Sequence, residues 1–259
     1  MEIVSPKYLE VYKQQIQIDF GSALTEISES KLDPQSFTFY TSVAVISSSR
    51  IEGEHLEIDS YVKHKMQDVE YLPELVEKPN DLFQAYLFAG KNHLNKNNFL
   101  QSHQLLSNHL LPEKWRGVYR QNNMLVMEHG TGRIQYEAAP PDIVKAEMDK
   151  LWNDIDLLLQ QRLSPEEIFY YASYIHLIFV NVHPFTDGNG RAARLMEKWF
   201  LAEKLGKVAW FIQSEKYYYR HIDQYYKNLN RVGIFYDQLD YANAQKFLQM
   251  LPNAIQYKV

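Results

Sequence analysis

Residues 164–206 read SPEEIFYYASYIHLIFVNVHPFTDGNGRAARLMEKWFLAEKLG, and this stretch decides how the chain folds. Ser164, Pro165 and Glu167 form a helix-start signature. The serine caps, the proline sits where its missing N–H costs nothing, and the glutamate reaches back to the cap. Ile168, Ala172, Ile175 and Ile178 follow at helical steps toward Val182. Pro184 ends this helix, because the residue before a proline is pushed out of helical geometry. Gly188 and Gly190 turn the backbone. A second helix begins at about Arg191, covers Ala192–Leu205 and stops near Gly206. The pattern is helix, loop, helix.

The loop His183-Pro184-Phe185-Thr186-Asp187-Gly188-Asn189-Gly190-Arg191-Ala192-Ala193-Arg194 concentrates chemistry. Free N–H groups at the head of the second helix favour an anion, and glycine-loop amides can form a nest for phosphate oxygens. Arg191 and Arg194 share a helix face, with Cβ atoms roughly 5–6 Å apart. Two guanidinium forks there suit a polyphosphate better than a single carboxylate. Asp187 supplies one carboxylate, enough for a magnesium ion that also takes phosphate oxygens and water. His183 can accept a proton from an attacking hydroxyl. No Gly-Lys-Ser/Thr follows, so this is not a Walker A loop. A helix rather than a strand precedes it, so it is not a dinucleotide fingerprint.

Working outward, helical periodicity dominates. Asp33-Pro34 starts a helix through Phe37, Tyr40, Val43, Ala44 and Ser47, stopped at Gly53. A helix over Asp81–Asn95 follows a break at Pro79-Asn80, and another spans Leu100–Leu111 before Pro112. Tyr119–Tyr136 reads as a β-hairpin, with Leu125, Val126 and Met127 leading to a glycine turn at Gly130-Thr131-Gly132, then Ile134 and Tyr136 alternating beyond it. Pro140-Pro141 opens a helix through Ile143, Met148, Leu151 and Trp152, and Tyr217–Leu229 and Tyr241–Leu251 complete a mostly α chain. At 259 residues and 46% hydrophobic, a sizeable core is expected. The net charge of −5 argues against a general nucleic-acid binder. There is no cysteine, no secretory start and no apolar run long enough to span a bilayer, so a cytoplasmic protein with no membrane partner is expected. His176 reads as a packed helix residue, since no third ligand accompanies it and His183 for zinc.

His183–Arg194 matches H-x-F-x-(D/E)-G-N-G-R-x-x-R at every defined position and so resembles the signature of the Fic family. The flanks agree: His176 on the preceding helix, Gly117-Val118-Tyr119-Arg120 before the hairpin, the Pro140-Pro141 helix and Tyr225-Tyr226. The likeness spans about Leu75 to Leu251. It implies a Fic-type helical bundle with one β-hairpin flap, organised as an N-terminal helical region (1–74) and a catalytic core (75–259). It also implies transfer of AMP from Mg-ATP to a Ser, Thr or Tyr hydroxyl of a target protein, and to itself. In that scheme His183 is the general base and Asp187 holds Mg²⁺. Gly188, Asn189 and Gly190 cradle phosphates, Arg191 and Arg194 engage the outer phosphates, and Phe185 anchors the loop. Tyr225 lines the adenine pocket. The flap (Ile134, Gln135, Tyr136) docks the target by main-chain pairing. Relatives with lysine at the position of Gly190 are kinase-like, so glycine favours AMP transfer.

Ser48-Ser49-Arg50-Ile51-Glu52-Gly53 matches the family's inhibitory motif, (S/T)-x-x-x-E-(G/N). By this resemblance Glu52, with Ser48 one helical turn before it, pairs with Arg194 and withdraws the guanidinium that would orient the γ-phosphate. The same glutamate fits a de-AMPylating hydrolase, which stays open as an alternative, as does a non-enzymatic nucleotide-sensing module. An intact His183 argues against the sensor, which needs no base. The aromatic N-terminal segment offers surface for a homo-oligomer.

Overall fold

The computed structural model describes residues 1–29, 33–127 and 134–257. Its helices are α1 (Leu9–Gln15), α2 (Phe20–Glu29), α3 (Pro34–Ile51), α4 (Ile58–Gln67), α5 (Pro73–Ala89) and α6 (Lys96–Leu106). After the strands β1 (Leu125–Met127) and β2 (Ile134–Glu137) come α7 (Pro141–Gln160), α8 (Pro165–Val182), α9 (Asn189–Leu205), α10 (Ser214–Arg220) and α11 (Ile222–Leu229). Two short helices follow, α12 (Gln245–Leu248) and α13 (Met250–Ala254). The chain is thus mostly α, with one antiparallel pair of strands among the described residues. No helix among them is long and apolar enough to cross a membrane.

The core is built around α8. Every residue from Ile168 to Val182 is buried, as expected of a helix apolar on all sides. It packs against α9, α7 and α12. Its start carries the full capping box: the Glu167 N–H donates to Ser164 Oγ, and Glu167 Oε2 accepts the Ser164 N–H at 2.9 Å. Replacing Ser164 by alanine should lower unfolding stability by about 1 kcal/mol in a denaturant titration. An unchanged midpoint would mean the cap is redundant.

Helix α3 is capped by Asp33, whose carboxylate accepts the Ser36 N–H at 2.7 Å. It ends in a Schellman turn: the Gly53 N–H donates to Arg50 O and the Glu54 N–H to Ser49 O, with Gly53 at φ +88°. Because α3 packs against α5, α9 and α10, this turn is delivered to the head of α9.

Five expectations need correction. Pro79 does not break a helix: α5 runs through it from Pro73 to Ala89. Val76, Leu82, Phe83, Ala85 and Tyr86 bury one face there, and that burial outweighs the lost backbone bond. Helix α6 starts four residues before Leu100, at Lys96, where the Asn95 side chain caps it, and ends at Leu106. The predicted Tyr217–Leu229 helix is interrupted at His221, and the Tyr241–Leu251 stretch is 3₁₀ turn followed by α12 and the start of α13. The hairpin strands are shorter than Tyr119–Tyr136, and its glycine turn lies outside the described residues.

Candidate functional site

His183 sits one residue past α8 with φ +51°, a left-handed conformation in which a non-glycine residue is strained. Arg120 holds it there. The guanidinium donates to the carbonyls of Val182 (3.1 Å), His183 (2.7 Å), Ala139 (2.6 Å) and Asn122 (2.6 Å), while the Arg120 N–H donates to Pro184 O. A cation on the last carbonyls of α8 also complements the helix dipole. The next residues are pinned by burial. The Phe185 ring packs among Phe99, His103, Tyr119 and Phe179. Gly188 has φ +79°, and a Cβ there would meet Leu106 Cδ1 at 2.9 Å, so only glycine fits.

The Asn189 side chain is turned inward. Its Oδ1 accepts the Phe185 N–H and its Nδ2 donates to Phe185 O, both at 2.8 Å, so it braces the loop instead of facing a ligand. Asp187 is exposed, and its Oδ1 accepts the Gly188 N–H at 2.6 Å. No cluster of three or more acidic, His or Cys side chains exists among the described residues. A lone, exposed carboxylate at the head of a glycine turn fits a magnesium ion carried in with phosphates, not a site built wholly of protein.

The Tyr136 side chain faces inward. It is buried, and its hydroxyl lies 3.0 Å from His183 Nδ1 with the rings edge to face. It therefore orients the imidazole, leaving exposed Ile134 and half-buried Gln135 as the accessible flap residues. Val126 pairs with Tyr136 and Met127 with Ile134, and across this irregularity Ile134 is exposed while Tyr136 is buried. Burial, with the nearby Arg120 charge, pushes the His183 imidazole down from 6.5 to about 4, so the ring is neutral at pH 7.

Arg194 is fully buried on α9 and every arm is occupied. Nη2 meets Glu52 Oε1 at 2.6 Å and Ser48 O at 3.1 Å, Nε donates to Ser48 Oγ at 2.8 Å, and Nη1 donates to the Tyr225 hydroxyl at 3.4 Å. The predicted Glu52–Arg194 contact is present, and Ser48 takes part. Burial would raise the Glu52 carboxyl, but the Arg194 and Arg191 guanidiniums overcome it and hold the group below its ordinary range. Tyr225 is buried behind Arg194 and does not line an open pocket. Its oxygen is 3.0 Å from His176 Nε2, whose Nδ1 donates to Glu197 at 2.7 Å. A cavity of about 580 Å³ opens instead beside Tyr226, bounded by Ile51, Gly53, Ile134, Gln135 and Ile222.

Glu54, two residues beyond Glu52, meets Arg191 Nη2 at 3.1 Å and Lys78 Nζ at 3.0 Å. The buried Arg191 Nε has no hydrogen-bond partner among the described residues. A methyl group at Gly190 would fall where the Glu52 carboxylate oxygen lies, so the glycine opens a space that this carboxylate fills. Sequence reasoning passed over Glu54 and His103 and saw Arg120 only as a flank. The sole local hint for Glu54 is its place in the Glu52-Gly53-Glu54 run at a helix stop.

The model of the Fic/DOC family matches residues 93–201. No curated protein matches the chain. Among solved structures, a Fic family protein from Desulfovibrio desulfuricans G20 shares 21% identity at a TM-score of 0.72, over 91% of this chain and 71% of that one. A Fic domain containing signaling protein from Bacteroides thetaiotaomicron VPI-5482 shares 16% at 0.67, over 94% and 93%. Fic-1 (residues 134–508) from C. elegans shares 15% at 0.58, over 98% and 68%. At these identities the likeness is one of fold.

Proposed function

We propose, from the premise that this chain is a Fic/DOC family protein with its domain at residues 93–201, that it transfers AMP from Mg-ATP to a protein Ser, Thr or Tyr hydroxyl, itself included, and rests in a self-inhibited state. One observation carries the reading. The Glu52 carboxylate lies over Gly190 and on Arg194, so a protein anion fills the place where a glycine turn and a guanidinium would hold a phosphate.

The chemistry follows from the groups around it. The acceptor hydroxyl oxygen attacks the α-phosphorus, forming one O–P bond. The bond to the α–β bridging oxygen breaks and pyrophosphate leaves. Neutral His183, turned by Tyr136 and Arg120, takes the hydroxyl proton. Asp187 would hold the magnesium ion, which neutralises charge on the phosphates. The amides of Gly188 and Gly190 and the two arginines supply fixed positive charge. Little is asked of the protein beyond positioning and electrostatics, as phosphoryl-type transfer requires.

The resting state is held by two carboxylates from one turn. Glu52 takes Arg194, Glu54 takes Arg191, and Gly53 between them sets the geometry. The cavity beside Tyr226 and the flap has room for a nucleoside.

The transfer is tested with ATP labelled at the α- or the γ-phosphate, incubated with a Glu52→Gly variant and read on gels and by intact mass. Label from the α position only, with an adduct of AMP mass, is expected. Retention of the γ label would reassign the reaction to phosphate transfer, and no adduct from either would leave a binding module. Loss of AMP from a pre-modified target faster than it is added would favour the hydrolase.

A further inference from the structure

His103 belongs to α6, 84 residues before Asp187 in sequence, and is completely buried. Its ring lies flat on Phe185, with centroids 3.5 Å apart and planes 16° from parallel. Both nitrogens are used, and their roles follow from their partners. The Gly117 N–H donates to Nδ1 at 2.9 Å, so Nδ1 is an acceptor. In a neutral ring the proton is then on Nε2, which lies 3.0 Å from the Asp187 carbonyl oxygen and donates to it.

A histidine that merely filled core would need none of this, since a phenylalanine would fill the same space. The bond to the Asp187 carbonyl fixes the peptide plane between Asp187 and Gly188. That plane sets both the direction of the Gly188 N–H and the line along which the Asp187 side chain leaves the backbone. The imidazole also sits 3.4 Å from the position a Cβ would take at Gly188, so it forms part of the floor under the turn. Gly117, the other anchor, lies three residues before Arg120, which holds the His183 end of the loop. The two clamps therefore grip the loop from one connecting segment, residues 117–120.

We propose that His103 is a positioning residue for the nucleotide loop, holding the Asp187–Gly188 peptide in the orientation that receives a metal-bound phosphate. This rests on the reading of the loop as a nucleotide site. It acts through Asp187 and touches no reacting atom.

The test measures binding of α,β-methylene-ATP by calorimetry, in a Glu52→Gly background, with Mg²⁺ and with EDTA. His103→Phe keeps a flat ring but donates nothing. His103→Asn keeps an acceptor near the Nδ1 position but cannot reach Asp187. His103→Gln places an N–H near the Nε2 position. The Phe and Asn variants should bind the magnesium-loaded probe about 10–100-fold more weakly, the range for partners that orient a metal ligand. Their metal-free binding should hold, and Gln should recover most of the loss. Equal magnesium-loaded affinity in Asn and the parent overturns the proposal. So does a parallel fall with and without metal, which marks a general packing defect. If Phe fails to fold, the Asn and Gln pair still decides. Failure of the parent to bind the probe at all would count against the nucleotide site itself, not against the role of His103.

Discussion

His183→Ala is expected to lower the proposed AMP transfer by about 10²–10⁴-fold, the contribution of a positioned general base, with nucleotide binding kept. The ring touches Tyr136 and the backbone is held by Arg120, so nothing places the imidazole on the phosphates. The pH profile adds a sharper mark. The imidazole is depressed from 6.5 to about 4, and the base form is the neutral one. Transfer should therefore stay level as pH falls through 6.5 and decline only as it approaches about 4. The same shift has a stability consequence of fixed sign. Between 6.5 and about 4 the unfolded chain takes up a proton that the folded chain refuses, so stability is lost as pH falls. Single-turnover rates from pH 8 downward check the first point. A fall centred near 6.5 would show an imidazole exposed to solvent, and full activity in His183→Ala would remove it from the reaction.

What could be read from the sequence was local. Asp33, Ser164 and Gly53 act on backbone groups within five residues of themselves, so short-range capping rules suffice. The twelve-residue loop carried its own identity, and Glu52 with Ser48 came with a motif that names Arg194 as its partner. The misread residues answer to distant ones. Pro79 looks like a stop until the buried face of α5 is seen against α3, α6 and α9. Alternation along β2 gives Ile134 and Tyr136 one face, but Ile134 is exposed while Tyr136 is buried against His183, 47 residues away. Glu54 meets Arg191 across 137 residues and His103 meets Asp187 across 84. Nothing near either one in the chain marks the pairing. The motif position of Asn189 suggests a phosphate contact, but its side chain pairs with the N–H and the carbonyl of Phe185.

Glu52→Gly raises self-labelling by about 10–100-fold. That range follows from breaking a partly buried, charge-assisted hydrogen bond worth about 1.5–3 kcal/mol, at about 1.4 kcal/mol per tenfold. The substitution removes the carboxylate acceptor of Arg194 Nη2, leaving the Ser48 carbonyl, and clears the space over Gly190. Glu54→Gln should do less alone, about twofold to fivefold, the range for an ion pair worth up to about 1 kcal/mol. Its carboxylate is shared between Arg191 and Lys78, it does not lie over Gly190, and its loss leaves Glu52 in place. The double variant separates two pictures. If the carboxylates act independently, their effects multiply. If the Schellman turn moves as one body about Gly53, release of Glu52 already weakens the grip of Glu54 on Arg191, and the double variant falls short of the product. The second outcome is expected, because both acids hang from one turn held by Arg50. That guanidinium binds the Tyr219 hydroxyl, the His55 and Leu56 carbonyls and Glu57. Arg50→Ala should then raise labelling with both glutamates intact, since it loosens the turn; because Arg50 also lines the cavity beside Tyr226, labelling is compared at saturating ATP. Unchanged labelling in Glu52→Gly would remove the brake. A raised Glu52→Gly with an inert Arg50→Ala would keep the brake and discard the rigid turn.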